Sequence, residues 1–275
     1  MKRDADPAAL PFFLPARPGQ RFCLFHAPST RPARGALLYV HPFAEEMNKT
    51  RHLAYLQARA FAARGYGVLQ IDLYGCGDSS GDFGEARWAI WKEDLALACD
   101  WLAQQVAAPL GLWGLRLGAL LALDFASETA LPLERLILWQ PVFKGRAYLN
   151  QFLRLRLASD ILSDDPRAGS TTAALRRELD GATRIEVGGY EVAAELAAAI
   201  DGLDGALLAP RGPVHWFELA PAAGVPPAAA HQAQLWRDAG VALCLHAVPG
   251  APFWASAEIV ECPALLTATT ALCAC

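Results

Sequence analysis

Seven short runs with the composition of buried strands are spaced along the chain: Arg21 to His26, Ala36 to His41, Val68 to Asp72, Leu110 to Gly114, Leu136 to Gln140, Val214 to Leu219 and Val241 to Val248. Between them lie segments whose apolar residues recur at helical spacing, about Lys49 to Arg64, Glu85 to Val106, Leu117 to Ser127, Ala230 to Ala239 and Ser256 to Leu272; Leu53, Leu56, Ala60 and Phe61 illustrate it. Strands alternating with helices pack best as a mostly parallel sheet covered on both faces. The 275 residues are 54% hydrophobic and 19% charged, enough for one large core, so residues 1–275 are read as a single domain. The pattern loosens between Lys144 and Gly212. There an arginine-bearing helix (Tyr148 to Leu157) and a Ser163–Pro166 breaker lead to the stretch Ile185 to Tyr190. This predicts a cap-like insertion, about 144–212, after the sixth strand. Such an insertion would roof the carboxyl ends of the parallel strands, where ligands bind.

A formal net charge of -4 supplies no basic field for a nucleic-acid backbone or an anionic membrane, so nucleic acid is excluded as a partner. No run of some 18 uncharged apolar residues exists to span a bilayer, since the run after Gly118 meets Asp124 and Glu128. Met1-Lys2-Arg3 is followed by Asp4, Asp6 and Pro7, and Ala8 to Ala16 is broken by Pro11 and Pro15, a poor signal peptide. Seven cysteines without regular spacing, Cys23, Cys99 and Cys244 within apolar patterns, fit reduced, packed thiols. The expectation is a cytoplasmic protein. Cys273 and Cys275 supply two thiols at a terminus, which makes no closed zinc site, and no metal or cofactor motif is recognised.

The pentapeptide Gly114-Leu115-Arg116-Leu117-Gly118 follows an apolar strand and opens an apolar helix. A G-x-S-x-G nucleophile elbow has this form, with serine exposed on a strained turn beside oxyanion-binding amides. Here the exposed group is a guanidinium, permanently protonated and no nucleophile. Two further loops should converge on it. His41 to Lys49 supplies the second oxyanion amide, from Phe43 or Ala44; Asp72 to Gly81 has the form D-x-x-G-x-G-x-S.

The segments HPFAEEMNKTR, DLYGCGDSSGDFGEA, GLWGLRLGALLALD and LILWQPVFKGR resemble the exosortase A system-associated hydrolase type 2 family. These are bacterial α/β-hydrolase homologues encoded near exopolysaccharide and protein-sorting genes. The resemblance covers about the first 150 residues well and the rest loosely. It implies an α/β-hydrolase fold, a mostly parallel sheet with helices on both faces and a cap after the sixth strand. It also implies a small-molecule or protein partner within that system, and an arginine at the elbow is not foreign to the family.

The other two triad positions are read independently. Leu219 to Gly224 offers no carboxylate where the acid belongs, and Glu218 lies inside its strand. The loop Val248 to Trp254 carries aromatics where the histidine belongs, and His246 falls within a strand as a packed residue. Nucleophile and base act as one unit, and losing them costs on the order of a million-fold in turnover. What remains is an anion-binding arrangement of Arg116, the Leu117 amide, the Phe43 or Ala44 amide and a helix N-terminus. Glu45 or Glu46 on the facing loop would neutralise Arg116 if no ligand did, and His41 completes the candidate ligand set.

Weaker nucleophile candidates are Cys76, on an exposed turn, with His41 as its base. Ser79 and Ser80 read as turn formers, and Asp72 and Asp78 as loop braces. Trp88, Trp91 and Trp101 read as core, and Arg154 and Arg156 as a solvated face. The functional expectation is a catalytically degenerate binder of an acidic small molecule or a partner. The alternatives are a hydrolase or acyl transferase of esters or thioesters with an unusual nucleophile, and a scaffold or regulator of another hydrolase.

Overall fold

A computed structural model describes residues 9–162, 171–220, 224–256 and 258–274. The charged leader Met1 to Pro7, the Ser163–Pro166 breaker, Pro221–Ala223 of the acid loop and Cys275 lie outside the described residues. The expected strands form as β2 (Gln20–His26), β3 (Gly35–Val40), β4 (Tyr66–Ile71), β5 (Leu110–Leu115), β6 (Leu133–Trp139), β9 (Val214–Ala220) and β10 (Leu243–Pro249). Together with β1 (Leu10–Pro15) they make one eight-stranded sheet in the order β1-β2-β4-β3-β5-β6-β9-β10. From β4 to β10 every pairing is parallel; β1 and β2 pair antiparallel with each other, and β2 antiparallel with β4. This is the α/β-hydrolase fold, and β1 makes Leu133–Trp139 the sixth strand. Pro11 and Pro15 made that stretch unlike a strand in the sequence; both fit an edge strand, whose outward side needs no N–H donor.

Five helices clad the sheet: α1 (Glu45–Ala62), α2 (Trp88–Gln105), α3 (Leu117–Glu128), α7 (Pro227–Asp238) and α8 (Pro263–Ala271). Alternate strand residues sort to opposite faces. Leu37 and Tyr39 of β3 join Leu53, Phe61 and Leu265 on the face under α1 and α8, whereas Leu38 and Val40 join Leu95, Leu102 and Leu120 under α2 and α3. Trp216 and Trp236 anchor α7 beside α3. Helix starts differ from the expectation by three residues in α2 and α7, and by more in α1 and the last helix. α1 starts four residues earlier, so Glu45 and Glu46 form its first turn, where carboxylates favour the positive end of the helix. The last helix begins only at Pro263, a residue suited to a first helical position.

Between β6 and β9 the chain leaves the sheet for α4 (Gly145–Leu162), α5 (Thr172–Gly181), the hairpin β7 (Arg184–Val187) and β8 (Tyr190–Ala193), and α6 (Ala194–Asp201). Gly188 and Gly189 both take positive φ at the hairpin turn, a two-glycine signal that the sequence carries. Arg156 is not on a solvated face: it is buried and pairs with Glu178 of α5 at 3.1 Å, while Arg154 is exposed. Trp88 and Trp91 are core, and Trp101 stacks on Phe12 and meets Phe25 edge to face. Cys23 and Cys99 are fully buried, but Cys244 is exposed on edge strand β10. Among the described residues no helix is long and apolar enough to cross a membrane.

Candidate functional site

Arg116 leaves the end of β5 with φ 56° and ψ -120°, and its facing partner Ala44 has φ 50° and ψ -130°. Such backbone in a non-glycine residue costs roughly 1–3 kcal/mol and persists only where surroundings enforce it. Here they do. The Arg116 N–H donates to the Trp139 carbonyl, and the Arg116 carbonyl accepts from Ala119 and Val142. The flanking glycines are steric necessities. A Cβ on Gly114 would lie 2.5 Å from the Ala119 Cα, and one on Gly118 would lie 2.3 Å from the His41 carbonyl oxygen.

The three loops meet as the sequence anticipates. His41 to Ala44, Leu73 with Cys76, and Leu117 with Gly118 line one void. Its volume is only about 10 Å³, room for at most one water molecule. Among the described residues the Phe43 and Ala44 N–H groups donate to no backbone carbonyl of a turn, loop or cap.

His41 and Cys76 are arranged differently from a base and a nucleophile. The Nδ1 of His41 donates to the Pro42 carbonyl at 2.7 Å, and its Nε2 accepts the Leu73 N–H at 3.2 Å. Both ring nitrogens are thereby spent on backbone, and burial pulls the imidazole below its ordinary pKa. Cys76 is not on an exposed turn but buried, and burial with the Asp72 and Asp94 carboxylates pushes its thiol up. A thiolate nucleophile needs the opposite setting. The remaining loop residues act as braces. Ser79 Oγ accepts the Phe22 N–H and donates to the Asp72 carbonyl, Ser80 Oγ accepts the Gln20 N–H, and the Asp72 carboxylate accepts from Asp78 N–H and Arg51.

The Arg116 guanidinium is held by three side chains from distant elements. Its Nη2 reaches Oε1 of Glu46 at 3.4 Å, Trp254 covers it at 4.8 Å, and Tyr148 of α4 lies 5.6 Å away. Glu46, not Glu45, is the carboxylate that faces it; Glu45 accepts from Tyr190 and Asn48. The ion pair is loose. Arg116 Nε and Glu46 Oε2 are both buried without a hydrogen-bond partner. Burial pushes the Glu46 carboxyl up, and Arg116 and the Tyr148 hydroxyl only partly oppose it. Glu46, Tyr148 and Trp254 in turn line a cavity of about 200 Å³ with Phe43, Lys49 and Phe152.

At the acid position, Glu218 is buried in β9, where it accepts Gln140 Nε2 at 2.6 Å and Trp216 Nε1 at 2.9 Å. Its pKa is raised by burial, against those two donors and Arg116. At the base position Trp254 stands over the elbow, and Phe253 is buried against Trp139. His246 stacks flat on Phe217 at 4.4 Å within the sheet. The sequence flagged aromatics in this loop, but nothing in it singled out Trp254 or Tyr148 as partners of Arg116. Among the described residues no cluster of three or more His, Cys, Asp or Glu could hold a metal ion.

Comparison with known proteins is consistent with this geometry. The family described as serine aminopeptidase, S33 matches residues 31–168, just over half of the chain, from the start of β3 through the elbow into the insertion. Est1E from Butyrivibrio proteoclasticus, in a structure with bound ferulic acid, superposes with a TM-score of 0.63 at 12% identity, over 95% of this chain and 96% of that one. Proline iminopeptidase from Mycobacterium smegmatis gives 0.61 at 12% identity over 96% and 98%. A thioesterase domain from the curacin biosynthetic pathway gives 0.59 at 17% identity over 98% and 100%. At these identities the likeness is one of fold. No curated protein matches the chain.

Proposed function

Because the chain belongs to the serine aminopeptidase S33 family of α/β-hydrolases, we propose that it keeps the elbow and its amides but not the triad, and that it binds an acidic small molecule at Arg116. The observation that carries this reading is the guanidinium at the nucleophile position, engaged by Glu46 through a single 3.4 Å contact with its Nε unfilled. A planar guanidinium backed by aromatic faces is suited to a carboxylate or phosphate in bidentate geometry. An incoming anion would take the place of Glu46, whose raised pKa lets it accept a proton and withdraw its charge. The 200 Å³ cavity beside it has room for a compact ligand under the cap-like segment, and Lys49 adds a second cation at its wall.

The cytoplasmic, exosortase- and exopolysaccharide-linked setting of this activity rests on the resemblance of the amino-terminal segments, and a protein partner from that system is part of the same proposal. Titration calorimetry with a small carboxylate and a small phosphate ester, on the wild type and Arg116→Ala, tests it. Binding by the wild type and none by the variant is expected. Silence from both overturns ligand binding, and ester turnover by the purified wild type that is lost in Cys76→Ala overturns the loss of catalysis.

A further inference from the structure

A cavity of about 430 Å³ lies apart from the elbow. It exists for a topological reason. β1 and β2 are joined by a hairpin and bring no helix of their own, so the α1-facing side of β2 is left with Phe22 and Leu24 opposite the flank of α1. That flank presents Asn48, Arg51, His52 and Tyr55, a stripe at i, i+3, i+4 and i+7. Met47 and Ile71 form apolar wall beneath, and Ile259, 70% exposed, closes the outer side from the carboxyl-terminal loop.

The polar groups of this cleft are unevenly used. Asp72 is satisfied by Arg51 and by the Asp78 N–H, and Gln70 Oε1 pairs with His26 Nε2. Arg51 engages Asp72 only through Nη2, at 3.0 and 3.2 Å. Its Nε and Nη1 have no acceptor among the described residues, and its side chain is 43% exposed. A guanidinium carries five N–H donors in a fixed fork, so the second edge of the fork is open. His52 lies on the rim with its Nε2 3.5 Å from Oε1 of Glu261, so Arg51 carries the open donors.

We propose that this cleft is a second ligand site, for a small monocarboxylic acid with an apolar body, its carboxylate on the open edge of Arg51 and its tail against Phe22, Leu24, Met47 and Ile259. The volume lies within the roughly 300–1,000 Å³ of small-molecule sites, and an apolar lining with a few convergent polar groups is their usual composition. The site is independent of Arg116: none of its lining residues belongs to the cavity bounded by Trp254.

The chain offers a specific reporter. Its two methionines are Met1 and Met47, and Met47 lines the cleft. In the full chain labelled with 13C-methyl methionine, octanoate is expected to shift the Met47 signal saturably. Arg51→Lys, which keeps the charge and loses the fork, should weaken the apparent Kd about tenfold. Leu24→Trp, which fills the cleft, should abolish the shift, and Arg116→Ala should leave it unchanged. An unshifted Met47 signal in the wild type overturns the proposal. So does octanol binding as tightly as octanoate, an unweakened Kd in Arg51→Lys, or a persistent shift in folded Leu24→Trp.

Discussion

Replacing Arg116 by serine restores the letter of the elbow motif and separates two readings of this site. On the proposed reading the new hydroxyl has no base. Trp254 lies over the position, and His41 has both nitrogens committed to backbone. A triad hydrolase deprived of its base loses on the order of a million-fold in turnover, so Arg116→Ser should hydrolyse p-nitrophenyl acetate no faster than the wild type. Stability should change instead. The substitution removes the guanidinium stack on Trp254, about 0.5–2 kcal/mol, together with the cation facing Glu46. The buried carboxylate then responds by holding its proton to higher pH, which limits the further cost, so a total of roughly 1–3 kcal/mol is expected. For a chain of this size that corresponds to a fall in Tm on the order of 5 °C. The sign with pH follows from Glu46. At acid pH the carboxyl is protonated with or without Arg116 and the pair contributes little; above the folded pKa the variant bears the full penalty. Thermal melts at pH 4.5 and 8 should therefore show a wider gap between wild type and variant at pH 8. An equal gap at both values would refute the pairing, and serine-dependent ester turnover would refute the absence of a base.

Three further outcomes follow from the same structure. Gly118→Ala should destabilise the fold at or above the upper end of roughly 1–3 kcal/mol for overpacking, measured by urea melts, because both atoms met by its Cβ within 2.4 Å are backbone carbonyl oxygens, of His41 and Val40. Glu218 holds its proton more tightly folded than unfolded, so its contribution to stability falls as pH rises from the ordinary carboxylate pKa, about 4.3, through the raised folded value. Glu218→Gln should remove that part of the slope, visible as a flatter Tm-against-pH profile above pH 4; an unchanged profile would contradict the assignment. Mass spectrometry after brief alkylation of the native protein should find Cys244 modified and Cys76 protected, with Cys76 reacting only on unfolding. Early labelling of Cys76 would reopen its role as a nucleophile.

The strands were legible because each is a short apolar run bounded by turn residues, and the elbow because its glycines answer to a local clash. Gly114 and Gly118 are required by α3 and by the His41 carbonyl whatever side chain stands between them, so the motif identifies the fold and says nothing of the chemistry. The parts that escaped the sequence are of two kinds. β1 was hidden by prolines that only an edge position tolerates. The β7–β8 hairpin was signalled by Gly188-Gly189, but its four-residue strands are too short for periodicity to register.

Part of the environment of Arg116 was legible, since the sequence offered Glu45 or Glu46 as its counter-ion, but the choice between them and the roles of Trp254 and Tyr148 were beyond local pattern, for a physical reason. Glu46 is 70 positions away, and Trp254 comes from the last loop of the sheet. Such contacts are fixed by strand order, with β3, β5, β6, β9 and β10 side by side, and no residue announces them. Glu45 and Glu46 are adjacent letters in one helical turn, yet successive helical residues point about 100° apart. Only Glu46 faces the guanidinium, while Glu45 serves Tyr190 of the hairpin. What the fold adds is the coincidence of three changes that the sequence presents separately. The guanidinium at the elbow, the indole in the base loop and the acid of the first helical turn make one contact set. Removing any one leaves a buried charge or an empty face for the others, so these positions are expected to couple energetically even though they are far apart in the chain.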